Sequence, residues 1–120
     1  MDTVLAVDLL KGMSTPWPRL ESDTHIMSTG SVRPLEDAFR IAQLDLVQWV
    51  SAHCGLSSLD AYQFLSQAVE APLANVVDTN YTSVAKLRKD WLPGGDAAAS
   101  GLMRGMHDHL REVARTYRGH

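Results

Sequence analysis

Glu21, Asp23 and His25 are the residues of this 120-residue chain whose types and spacing could do chemistry. They alternate within Leu20-Glu21-Ser22-Asp23-Thr24-His25-Ile26. On one continuous strand all three side chains would project from one face, with Leu20, Ser22, Thr24 and Ile26 on the other. Two carboxylates and an imidazole on a shared face can orient a metal-bound water, or serve as base and acid in hydrolysis of a bond such as an amide. Such a bond needs this help, because its nitrogen must leave protonated and its carbonyl must be polarised. The same alternation also fits a solvated strand face, and the pattern alone leaves both readings open.

Other reactive side chains read as structural. Cys54 follows His53 at a predicted helix end, where adjacent residues point about 100° apart, and no glycine-rich elbow frames the sulfur. His107-Asp108-His109 places two imidazoles at i and i+2, which face away from each other on a helix and bridge one metal ion poorly. His120 is terminal. Gly30, Gly94 and Gly95 match no phosphate-loop spacing. Trp17, Trp49 and Trp91 read as packing anchors, and Lys86-Leu87-Arg88-Lys89 as a solvated surface.

Composition narrows the partners. A net charge of −3 with scattered basic residues argues against nucleic acid or an anionic membrane. A single cysteine makes no internal disulfide, and no apolar run reaches the ~20 residues of a membrane span. With no signal-peptide pattern at the N-terminus, the expected compartment is the cytoplasm. At 45% apolar residues, one modest core is expected.

Several elements must position the candidate residues. Residues 4–12 are apolar and β-branched and predict a buried strand ending at Gly12. Thr15-Pro16-Trp17-Pro18 predicts a loop, residues 19–28 an extended segment, and Thr29-Gly30-Ser31 a turn. A helix is predicted from Pro34 to a C′ residue at Gly55, with Leu35, Phe39, Ala42, Leu46, Trp49, Val50 and His53 on one apolar face. A second helix starts at the N-cap Ser57, with Asp60 completing a capping-box arrangement, and ends before Pro72. The short Gly55-Leu56 link predicts a tight helix pair. Asn75–Asp78 predicts a strand, Thr79–Leu92 is ambiguous, and Pro93-Gly94-Gly95 marks a boundary. Leu102, Met106, Leu110, Val113 and Tyr117 describe an amphipathic tail helix. The fold class is α+β: a small β element packed with a two-helix hairpin, and an appended C-terminal helix. The expected organisation is a segment over 1–93, then a linker and tail helix over 94–120.

Several separate stretches, in order, resemble the acetamidase/formamidase family. They are Glu21-Ser22-Asp23-Thr24-His25, the turn at Gly30, the helix through Gln48-Trp49-Val50, Gly55-Leu56-Ser57 with Asp60-Ala61-Tyr62, Leu65-Ser66, and Asn75-Val76-Val77-Asp78. The resemblance covers residues 7–92 and looks like the closing segment of that family. At Thr79 the sequence departs, since the family pattern looks like Val-Asp-Pro there. Residues after Pro93 match nothing.

The resemblance implies the C-terminal part of a larger, mainly-β amidase fold. It implies hydrolysis of carbon–nitrogen bonds other than peptide bonds in small linear amides, with formamide- or acetamide-like substrates. It also implies a homo-oligomer, or a partner chain carrying the missing N-terminal part. It further implies a divalent metal such as zinc in the complete enzyme, with ligand segments preceding this region, and no metal ligand is assigned in this chain. The catalytic candidates are Asp23 and His25, then Glu21, and Asp78 is a substrate-binding candidate. The rival reading is a non-catalytic remnant or oligomerisation module that uses the helix pair as an interaction surface.

Overall fold

The computed structural model describes residues 2–12 and 14–93. The chain divides into two compact units, Met1–Ser14 with Ser100–His120, and Thr15–Ala99. Within the first unit, the described residues form no helix or strand, and a turn falls at Lys11-Gly12. The strand expected over 4–12 is therefore absent. Leu5 is 84% and Val7 94% exposed. A strand exists through a neighbour's N–H and C=O groups, and among the described residues none pairs with this segment. The predicted tail helix, with His107, His109 and His120, lies outside the described residues.

The second unit is a four-stranded antiparallel sheet with two helices. Its strands are β1 (Arg19–Glu21), β2 (His25–Ser31), β3 (Leu73–Asn75) and β4 (Thr82–Arg88), in the order β1-β2-β4-β3. Its helices are α1 (Leu35–Cys54) and α2 (Ser58–Ala68). The α+β reading holds for the described residues. α1 lies across the central strands β2 and β4, and α2 packs beside it.

Both helices form where the spacing placed them. Glu36 and Asp37 occupy the first turn of α1, and Gly55 ends it at φ +67°, a left-handed conformation that suits a residue without Cβ. The Asp60 N–H donates to Ser57 Oγ at 3.1 Å, capping α2. The buried stripe of α1 is rotated from the expected one. Ala38, Ala42, Asp45, Leu46, Val47, Trp49 and Val50 are buried, while Leu35 and Phe39 are exposed.

Gly30 explains that rotation. The expected turn at Thr29–Ser31 is instead the end of β2. A Cβ on Gly30 would collide with the Ala38 carbonyl oxygen and lie 2.9 Å from the Ala42 nitrogen. Only hydrogen there lets α1 approach so closely, and the facing Ala38 and Ala42 keep the helix side small as well. Gly30 thus identifies the helix-facing side of the sheet. Ile26 and Ser28 share it by alternation, and Leu87, Ala85 and Ser83 share it by register. Arg19 and Glu21 join them opposite Ser28 and Ile26.

Two local side-chain bonds account for the remaining differences. Ser22 Oγ accepts from the Thr24 N–H at 3.3 Å and the His25 N–H at 3.1 Å, which folds the predicted extended segment 19–28 into a hairpin. Asn75 Oδ1 accepts from the Val77 N–H at 3.2 Å, and Asp78 Oδ1 from the Asn80 N–H at 2.9 Å. These bonds draw residues 76–80 into a loop, so the strand expected at Asn75–Asp78 sits at Leu73–Asn75 instead. The stretch left ambiguous, Thr79–Leu92, contains β4 and a 3₁₀ turn at Lys89–Trp91. No helix among the described residues is long and apolar enough to cross a membrane.

Candidate functional site

One end of the hairpin carries the candidate site. The Ser22–Thr24 turn, the start of β2, the end of β4 and the 3₁₀ turn surround an open cleft of about 490 Å³. Asp23, Thr24, His25, Glu70, Arg88, Lys89 and Asp90 line it. Glu70 reaches this place because its backbone exchanges two hydrogen bonds with Lys86, each 2.8 Å. The Lys89 N–H donates to the Thr24 carbonyl at 2.9 Å and ties the 3₁₀ turn to the hairpin turn.

Asp23, in the turn and not on a strand, and His25, at the start of β2, both line this cleft. His25 Nδ1 is 2.7 Å from Thr24 Oγ1, so the threonine hydroxyl restrains the ring, and the tautomer decides which atom donates. Arg88 donates to Asp90 from Nε at 3.0 Å and from Nη2 at 2.5 Å, and stacks 4.8 Å from the Trp91 ring centroid.

Glu21 is not on the face of His25, contrary to the expected alternation. The turn pairs Glu21 with Ile26, which inverts the alternation and sends the carboxylate to the helix side. There Glu21 Oε1 is 2.5 Å from Lys89 Nζ, with the side chains 6% and 9% exposed respectively. Glu21 Oε2 is buried and has no hydrogen-bond partner among the described residues. Asp78 is not brought to the cleft either. It lies in the loop leading to Thr82, and the six steps from Thr82 to Arg88 span roughly 20 Å of strand. Asp78 there organises its own loop by accepting from Asn75 Nδ2 at 3.2 Å.

Lys89 is the site residue that sequence reasoning missed, having been read with Lys86 and Arg88 as solvated surface. The available signal was its position two residues past Leu87, where it continues the buried row Ser83-Ala85-Leu87. A lysine on such a row requires a partner, since an unpaired buried ammonium is strongly disfavoured.

A second polar cluster lies on the helix side. Arg19 donates to buried Asp45 from Nε and Nη2, both at 2.9 Å, and its guanidinium is 4.8 Å from the Trp49 ring centroid. Trp49 meets His53 edge-to-face at 6.2 Å. Partial burial, then the nearby Arg19 charge, holds His53 below the usual imidazole range. Burial raises the Cys54 thiol, so its thiolate is disfavoured, in agreement with a packing role. Among the described residues no group of His, Cys, Asp and Glu is arranged to hold a metal ion, so no catalytic step through a metal is derived from this chain.

No family model and no curated protein matches the chain. A solved structure does. The chain is similar to an acetamidase from Yersinia enterocolitica, with 48% identity and a TM-score of 0.67 over 70% of this chain. The chain spans 26% of that protein's length. The match shows the resemblance to the acetamidase/formamidase family.

Proposed function

We propose that this acetamidase/formamidase-like chain supplies part of an amide hydrolase that cleaves carbon–nitrogen bonds other than peptide bonds in small linear amides, formamide- or acetamide-like. The observation that carries this reading is its 48% identity to an acetamidase across 70% of the chain. Because the chain spans 26% of that acetamidase, the rest of the catalytic machinery is proposed to come from a second copy or a partner chain. The expected setting is the cytoplasm.

In the proposed reaction, water oxygen joins the carbonyl carbon, the carbon–nitrogen bond breaks, and the nitrogen leaves with the proton that the water gives up. Asp23 and His25 line one cleft and can share that proton transfer. Asp23 accepts from the attacking water. His25, its ring restrained by Thr24 Oγ1, donates to the departing nitrogen. Zinc or another divalent metal in the complete enzyme would need ligands from the remaining part.

The test is ammonia release from formamide and acetamide. It is measured on the 120-residue chain, with and without added zinc, and on the native assembly recovered through a tag on this chain. Release that falls at least a hundredfold in His25→Ala, with the variant still folded, is the expected outcome, since acid–base groups contribute about 10²–10⁴-fold. Undiminished release would remove His25 from the site. A folded native assembly that releases no ammonia from either amide would favour the second reading, a non-catalytic module, to which the partial coverage also lends support.

A further inference from the structure

We propose that the groove between α1 and β3, together with the open edge of β3, receives an extended apolar strand from a partner chain that carries the rest of the amidase fold. The proposal rests on the amidase reading and names the surface where the two parts join. The groove holds about 340 Å³ and is lined by Leu35, Glu36, Phe39, Ala71, Leu73 and Ser83. Leu35, Phe39 and Leu73 are 37%, 45% and 48% exposed, so three large apolar side chains meet water around one concavity. Single exposed apolar residues are ordinary, whereas a group around a groove marks an interaction surface. The one charged residue of the lining, Glu36, accepts from Arg40 at 2.6 Å, so apolar contact rather than charge selects the occupant. Ser83 is 1% exposed, and its Oγ has no hydrogen-bond partner among the described residues. An incoming strand can supply that partner.

The edge of β3 is open as well. β3 ends the sheet, and among the described residues no strand lies beyond it. Glu70 exchanges two backbone bonds with Lys86, and the Val84 N–H donates to the Pro72 carbonyl at 2.9 Å. Bonded positions alternate along an antiparallel pair, so residues 70 and 72 face β4, while the backbone N–H and C=O groups of Ala71 and Leu73 face outward. Leu73 stands opposite Ser83, which sets its side chain on the helix-facing side, at the groove. A strand paired to these groups would lay alternate side chains against Leu35 and Phe39.

The two edges of the sheet differ in a way that singles out this one. β1 turns Arg19 and Glu21 inward, and both are held in ion pairs, which guards that edge. β3 consists of Leu73, Ala74 and Asn75 and carries no charge. The chain spans 26% of the similar acetamidase, so most of such a fold lies outside it. A strand of that remainder suits both the unpaired edge and the uncovered apolar groove.

The experiment places the photo-crosslinker p-benzoylphenylalanine at position 39 or 73 of the tagged chain. The native assembly is recovered through the tag and irradiated, and the crosslinked peptides are identified by mass spectrometry. Both positions are expected to reach one apolar segment of a chain with acetamidase/formamidase-like sequence. Phe39→Lys and Leu73→Lys, at exposed positions, should leave the melting of the isolated chain unchanged and lower recovery of that partner at least about tenfold, because each would bury a charge. The Ala71 and Leu73 amides should exchange with solvent rapidly in the isolated chain and at least about tenfold more slowly in the assembly. Crosslinks only to a second copy, only within this chain, only to a chain without amidase-like sequence, or to nothing would overturn the proposal. Unchanged exchange at Ala71 and Leu73 would do the same. Ammonia release from formamide and acetamide is scored separately. A folded assembly crosslinked at the groove that releases none would refute the amidase reading, whereas release by an assembly without groove crosslinks would refute this proposal alone.

Discussion

Breaking the Arg19–Asp45 pair should destabilise the fold asymmetrically, by more from the arginine side than from the aspartate side. The side chains are 20% and 3% exposed, and both hydrogen bonds are 2.9 Å. Arg19→Met leaves Asp45 as a lone carboxylate on the buried stripe of α1, and stranding a buried charge costs about 3–5 kcal/mol. The variant also gives up the guanidinium–Trp49 contact, worth about 1 kcal/mol. Asp45→Asn leaves a neutral amide in place and an arginine that can regain water, so the loss is about 1.5–3 kcal/mol, that of a charge-assisted bond. Arg19→Met/Asp45→Leu removes both charges, and well-packed apolar replacements of such pairs are often close to neutral. The double variant should therefore be more stable than Arg19→Met alone, with a coupling of at least about 2 kcal/mol in the cycle that Asp45→Leu completes. Urea unfolding followed by circular dichroism and tryptophan fluorescence measures the wild type, these three variants and Asp45→Leu. A coupling under about 0.5 kcal/mol would place the pair with solvent-screened surface bridges and refute this reasoning.

Gly30→Ala should cost about 3 kcal/mol or more, because the added Cβ meets helix backbone at Ala38 and Ala42, which cannot rotate aside as a side chain would. Urea midpoints check this, and a loss under about 1 kcal/mol would mean that α1 shifts freely on the sheet. His53 should contribute a pH dependence of known sign. Its folded-state pKa lies below the ordinary 6.5 of a free imidazole, so the unfolded chain binds more protons just below that pH. Its contribution is present above 6.5 and is lost as pH falls through the lowered folded value. The stability difference between pH 7.5 and 5.5 should therefore shrink in His53→Asn, and an unchanged difference would refute the assignment.

The helices were legible because their signals are local. Three- and four-residue spacing, Gly55 and the Ser57–Asp60 cap all act within one or two turns. The sheet was not, because its register joins distant positions such as Ile26 with Leu87 and Gly30 with Ser83. Propensity also misled where a single polar side chain competed for the backbone, at Ser22 and again at Asn75 and Asp78. Asp23 and His25 line one cleft because the turn and the start of β2 lie at the same end of the hairpin, not because they alternate along a strand. Glu21 is not with them, since joining it to Ile26 inverted the alternation on which the three-residue reading depended. Phe39 was assigned to the core by spacing alone, and the close Gly30–Ala38 approach turned it outward.

These features link α1 to the cleft. β1 is a three-residue edge strand, and its inward residues, Arg19 and Glu21, are both charged. Inward charges protect an edge from pairing with other chains, but they give the strand little apolar attachment. Two ion pairs supply that attachment, Arg19 to α1 and Glu21 to Lys89. The Ser22–Thr24 turn follows directly from β1 and carries Asp23 into the cleft. Loosening Arg19 therefore releases one end of a strand whose other end holds Lys89. On this basis Asp45→Asn, although on the helix, should disturb the Asp23–His25–Lys89 geometry as well as stability. Amide resonance shifts at Thr24 and Lys89 in that variant are the expected sign, and unchanged resonances there would show that the Glu21–Lys89 pair fixes the cleft on its own.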